Sequence, residues 1–268
     1  MILVAPNERG PRVALIQILL NRAGNTLKVD GIFGPKTRGA VVDFQRSQGV
    51  SPDAVVRPDT WWKFPLGDNT NVVDVVDIAD PGVGGGAVAQ QKKAGGDPIQ
   101  LGLLCNGVEQ MVGDVVRAST SGEIALLRIT GHGNLGRWFT VSVGDVVDLK
   151  PADYKVWAAE YHSYIDWGHI DELADILAPL ADCFAPYGMM EHGGCSLGGR
   201  LETRKLMHRL ADLWKVPVSA GVGIQRSILR FDGSVFTAYP GNGAFGDIAH
   251  YQFGCVLAKP AVVGAGQH

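Results

Sequence analysis

Three largely apolar runs, the first two of them followed by Gly-rich turns, constrain this chain more than any other feature. EIALLRIT (123–130) and YGMME (187–191) set hydrophobic residues side by side without a regular polar alternation, and VPVSAGVGI (216–224) separates its hydrophobic residues only by Pro, Ser and Gly, with no charge. A strand with one wet face alternates, whereas a strand covered on both faces does not. Helical spacing fills the intervals between the runs. Residues 171–184 set Leu173, Ile176, Leu177 and Leu180 on one face, 201–214 read as a second helix, and an amphipathic stretch (108–116) follows a further apolar run at 99–104. This alternation predicts an α/β domain with a mostly parallel sheet and helices on both faces. The downstream LRFDGSVFTAYPGNG reads as a hairpin turning at Asp232-Gly233.

The first 67 residues follow a different rule. Pro11 opens a helix with Val13, Ile16, Leu19 and Leu20 at helical spacing, and it runs to Gly24. Pro35 opens a second helix, with Ala40, Val41 and Phe44 on one face, ending near Gly49. A third, short helix starts near Pro58 and carries Trp61 and Trp62. Between this unit (1–67) and the α/β domain (99–268) lies a composition shift at 68–98, rich in Gly, Asp and small residues. The expectation is a Gly-rich linker, firmest over 80–98, with room for one short strand over 72–78.

Composition removes several classes of function. The chain has 268 residues, 46% of them hydrophobic and 19% charged, and a net charge of −3, which gives no basic surface for nucleic acid. MILVAPNERG holds too few apolar residues for a secretory signal, and no stretch approaches the ~18 uncharged apolar residues of a membrane helix. Neither a signal peptide nor membrane insertion is expected within these residues. Cys105, Cys183, Cys195 and Cys255 lie far apart without a CxxC pair, so reduced thiols are expected, with Cys105, Cys183 and Cys255 in the core.

Chemistry concentrates where two of the runs stop. The run at 123–130 is followed by Gly131-His132-Gly133-Asn134, and the run at 187–191 by His192-Gly-Gly-Cys195-Ser-Leu-Gly-Gly199. In parallel sheets reacting groups gather beyond the carboxyl ends of strands. If the two strands are neighbours, the His132 imidazole and the Cys195 thiol meet at one rim. An imidazole there raises the reactive thiolate fraction of a cysteine and returns a proton to a leaving amine. The N–H groups of Gly133 and Cys195 would then form an oxyanion hole. Glu191 and His192 are secondary candidates because of their closeness to Cys195. The aromatic segment WAAEYHSYIDWGH (157–169), with His162 and His169, is expected to pack as a helix and turn. No zinc signature is present, although His132, Glu191, His192 and Cys195 are all metal-ligand types. Asp182, Glu191, Asp232 and Asp247 are acids able to receive a basic substrate side chain, with none singled out.

Two resemblances rest on these residues. VDGIFGPKTRGAVVDFQRSQGV (29–50), with Asp30-Gly31-x-x-Gly34-x-x-Thr37 followed by Phe44-Gln45, resembles the small helical peptidoglycan-binding domain of cell-wall hydrolases. It implies peptidoglycan as a partner and a cell-wall or extracellular location. The family often repeats its Asp-Gly turn before the third helix, where this chain has Asp53-Ala-Val-Val-Arg57. As residues, Asp30, Gly31 and Gly34 suit turn chemistry. LLRITGHGNLG (126–136) and YGMMEHGGCSLGG (187–199) resemble, in order, the two halves of the caspase-like cysteine peptidases. That likeness implies a Cys-His dyad, with Cys195 as nucleophile, His132 as general acid/base and Gly133 at the oxyanion, a peptide or protein substrate, and no cofactor. A zinc-dependent peptidoglycan amidase and a catalytically inactive wall-binding protein remain as alternatives.

Overall fold

The computed structural model describes residues 4–9, 11–61, 63–64, 72–79, 81–93, 96–119, 122–134, 138–142, 162–226, 231, 234–241, 251–252 and 255–256. The N-terminal unit has the expected three helices, α1 (Pro11–Arg22), α2 (Pro35–Ser47) and α3 (Pro58–Trp61). Each opens on a proline, whose missing N–H costs nothing in the first turn. The core of α1 and α2 holds Val13, Ile16, Leu19, Leu20, Val41 and Phe44 together with Phe33, and Phe44 is stacked on Phe64 at 4.4 Å between ring centroids.

A mixed α/β body follows. Its six-stranded sheet has the order β2-β1-β3-β7-β8-β9, from β1 (Val72–Asp77), β2 (Ile99–Leu101), β3 (Ile124–Thr130), β7 (Phe184–His192), β8 (Val218–Gly221) and β9 (Val235–Ala238). All neighbours are parallel except β9, which runs antiparallel to β8. A small antiparallel sheet of β4 (Gly133–Asn134), β5 (Trp138–Thr140) and β6 (Tyr164–Asp166) stands beyond the carboxyl end of β3. Helix α4 (Pro81–Lys93) packs against β1. The other face is covered by α5 (Gly107–Ala118), by α6 (Ala174–Leu177) with its 3₁₀ continuation Ala178–Cys183, and by α7 (Leu201–Trp214).

Several expectations need correction. The short strand allowed over 72–78 is present as β1, whereas 81–93, expected as Gly-rich linker, is helical. Val72, Val73, Val75 and Val76 place β1 between β2 and β3 inside the sheet, and the Gly-rich 81–93 is helix α4. The glycines serve contact here: a Cβ on Gly84 would lie 2.4 Å from the Asp77 carbonyl oxygen, so only glycine lets α4 approach the end of β1 this closely. The helix expected over 171–184 is α-helical only at Ala174–Leu177 and tightens to 3₁₀ from Ala178, where Pro179 supplies no N–H; β7 begins already at Phe184. The run at 99–104 is strand only to Leu101, and that at 216–224 only over Val218–Gly221. The segment expected as helix and turn includes strand β6. Cys105 is exposed rather than core, Cys183 is buried as expected, and the side chain of Cys255 lies outside the described residues. Asp232-Gly233 and Asp247 also lie outside them.

The two parts of the chain are joined by more than sequence. Val72 of β1, Ala125 and Leu126 of β3 and Met189 of β7 belong to the same core cluster as residues of α1 and α2. Helix α1 therefore covers the sheet face opposite α5 and α7, contacting β3 and β7. Beneath it a row of cross-strand partners crosses five strands: Asp74, Arg128, Glu191, Ser219 and Thr237. All five are buried. Arg128 Nε donates to Asp74 Oδ1 at 2.6 Å, and Gln91 of α4 donates to the same oxygen at 3.2 Å. Arg12 of α1 reaches down to Glu191 Oε1 at 2.8 Å.

Candidate functional site

The parallel pairing of β3 with β7 sets the geometry of the rim. Ile129 lies opposite His192, so counting three residues onward along each chain puts His132 level with Cys195. The turns remain in contact past the strand ends. Gly193 N–H donates to Ile129 O at 2.8 Å, and a Cβ built on Gly133 would stand 2.4 Å from Cys195 O and 3.0 Å from Cys195 N. The His-Gly and Gly-Cys turns thus touch backbone to backbone, a contact that a side chain at 133 would prevent.

Each turn is held from its own side. His132 donates its N–H to Thr140 Oγ1 at 2.8 Å and accepts from Thr140 N–H at 2.9 Å, so strand β5 fixes its backbone. Past β7, Gly194 N–H donates to His192 Nδ1 at 2.8 Å, and Ser196 N–H donates to Gly223 O at 2.9 Å. Ser196 has φ +59°, a left-handed conformation that turns the chain sharply after the cysteine. Among the described residues the Cys195 N–H has no hydrogen-bond partner, while those of Gly193, Gly194 and Ser196 are engaged. Cys195 is half-buried, and its Sγ receives the Gln225 N–H at 3.3 Å. Gln225 was missed in the sequence; the signal was its place just past the end of β8, on the same rim as the cysteine.

The secondary candidates are corrected by their environments. Glu191 points onto the α1 face, where it pairs with Arg12, away from Cys195. His192 is buried, its ring 4.2 Å from that of Phe139, and burial pushes its pKa down to about 3. Accepting from Gly194 places its proton on Nε2, which is buried without a hydrogen-bond partner among the described residues. It acts as a neutral brace for the cysteine turn. With Glu191 and His192 on opposite faces, the donor set considered for zinc does not converge. Asp182, in the 3₁₀ turn before β7, sits at the amino end of that strand, remote from Cys195 at the carboxyl end.

In the helical unit the Asp30 motif is turn chemistry. Gln17 Nε2 donates to Asp30 Oδ1 at 2.9 Å and to Thr37 Oγ1 at 3.1 Å, and Gln17 Oε1 accepts from the N–H groups of Asp30 and Gly31. The hydrogen bond from Gln17, then that from Ile32 N–H, hold the Asp30 carboxyl below its ordinary range. Gly31 takes φ +68°, while Gly34 precedes α2 as its cap. The departure at Asp53 preserves the device: Gln45 Oε1 accepts from Ala54 N–H at 2.9 Å, Asp53 Oδ1 accepts from Val55 N–H, and Ala54 takes φ +67° without a glycine.

Comparison with known proteins agrees with the helical part. Residues 9–63 match the family described as "Putative peptidoglycan binding domain". A protein of Kitasatospora aureofaciens, "Uncharacterized protein in bpoA1 3'region", is 57% identical over 36 residues, 13% of this chain and 30% of its own length. A solved structure, the Burkholderia AP3 phage endolysin, is 37% identical over 22% of this chain and 23% of that chain, with a TM-score of 0.22. The chain thus spans under a third of each of these relatives. Among the described residues, no helix is long and apolar enough to cross a membrane. Residues 9–63 form a helical domain of the peptidoglycan-binding type, packed onto an α/β body with a mostly parallel sheet.

Proposed function

We propose that this protein is a cell-wall-associated cysteine peptidase of the caspase-like type, its helical unit binding peptidoglycan and its α/β body hydrolysing a peptide or amide bond. The observation that carries the reading is the contact of the two rim turns, with Gly133 against the backbone of Cys195. Neighbouring parallel strands that end in His-Gly and Gly-Gly-Cys support it, as does the Gln225 N–H directed at the sulfur. The match over 9–63 supports location at the wall.

In this mechanism the Cys195 thiolate attacks the carbonyl carbon. Negative charge develops on the carbonyl oxygen, which the N–H groups of Gly133 and Cys195 receive. The C–N bond breaks as His132 protonates the departing amine, leaving a thioester. Water, deprotonated by His132, then releases the acid and restores the thiol. Glu191 and His192 take no part in the bond changes; the first pairs with α1 and the second braces the turn.

The test is hydrolysis of a peptide library and of isolated wall peptides in the presence of inhibitors. Iodoacetamide abolishes turnover and a chelator leaves it unchanged if the thiol does the work. The reverse pattern overturns the thiol mechanism and favours a metal-dependent amidase.

A further inference from the structure

The polar row under the helical unit has a charge balance that the sheet alone does not complete. Asp74 and Arg128 pair with each other, with both side chains 2% exposed. Glu191, their neighbour in register, adds a second negative charge on the same face. The three sheet charges sum to −1 in an apolar setting, and an unpaired buried charge is strongly destabilising. Arg12 supplies the missing positive charge. Its Nη1 lies 2.8 Å from Glu191 Oε1 and its Nη2 3.5 Å from Ser219 Oγ, with the Arg12 and Glu191 side chains 10% and 6% exposed. Ser219 in turn bonds Thr237 on the edge strand.

The position of Glu191 gives this pair a consequence at the rim. His192, which follows it directly, accepts the Gly194 N–H, and Gly193 is tied to Ile129. The last two residues of β7 are therefore clamped from opposite faces: Glu191 by Arg12 from the helical unit, His192 by Phe139 and the turn itself. Cys195 hangs from that clamped end.

We propose that Arg12 is a positioning residue for the Cys195 turn, so that the peptidoglycan-binding unit is a built-in support of the candidate site and not a tethered anchor. Its bearing on hydrolysis rests on the reading of Cys195 given above; the positioning itself does not. Wall contact and scissile amide are then held at a fixed offset, which limits cleavage to bonds within the reach of one body.

Hydrogen exchange on the full chain tests this. In Arg12→Met the Gly193 and Gly194 amides exchange at least about tenfold faster than in the wild type, while the amides of α7 keep their wild-type rates. Arg12→Lys restores most of the protection. Glu191→Gln added to Arg12→Met brings no further loss, because both act through one pair. Should Arg12→Met fail to fold, the double variant, free of the unpaired charge, carries the same comparison. Unchanged exchange at 193–194, or equal acceleration in α7, overturns the proposal. A wild-type protein that hydrolyses nothing overturns the peptidase reading instead and leaves the exchange result standing.

Discussion

His192 shows how one residue's environment decides its role. Sequence alone sets it beside His132 as a possible base, three positions from Cys195. Burial pushes its pKa from the ordinary 6.5 to about 3, and its Nδ1 is occupied by Gly194 N–H. The unfolded chain takes up this proton as pH falls from about 6.5, whereas the folded chain resists until about 3. Stability conferred by the neutral ring is therefore full above pH 6.5 and drains away through that window, by up to about 1.4 kcal/mol per pH unit. Urea midpoints at pH 7, 5.5 and 4.5 follow this loss. His192→Asn, which keeps an acceptor for Gly194, flattens the slope; an unaltered slope in the variant assigns the pH dependence elsewhere.

At the scale of elements, α4 distinguishes glycine used for contact from glycine used for freedom. Gly84 faces the Asp77 carbonyl with no room for a methyl group, so Gly84→Ala costs about 1–3 kcal/mol. Gly85 has nothing within 4 Å of an added Cβ, and Gly85→Ala gains roughly 0.5–1 kcal/mol from reduced chain entropy in a helix. Urea unfolding separates the two; equal, negligible effects would restore the flexible linker. Strands β3, β7 and β8 and helices α5 and α7 were legible because largely apolar runs and 3.6-residue spacing survive in the sequence. The helix expected over 171–184, by contrast, is α-helical only at Ala174–Leu177, and β6 lies in a segment expected as helix and turn. Helix α4 was not legible, because glycines needed for close packing look the same as glycines of a coil. The polar row was hidden as well: Arg128 sits inside EIALLRIT, and its partner Asp74 is 54 residues away. The rim contact of His-Gly with Gly-Cys was legible from strand order, while Gln225 required knowing that β8 neighbours β7.

For the whole molecule, the core that α1 and α2 share with Val72, Leu126 and Met189 predicts one cooperative body. Calorimetry should give a single unfolding transition whose calorimetric and van't Hoff enthalpies agree; two resolved transitions would mean that the helical unit is not docked. In the proposed reading that body holds a wall-binding unit and a reactive thiol, whose contributions separate by mutation. The most direct measurement compares the full chain with its Cys195→Ala variant on purified sacculi, following both co-sedimentation and release of new amino groups. The account predicts equal sedimentation and a loss of release by at least about 10³-fold in the variant. Release that persists in Cys195→Ala would contradict it.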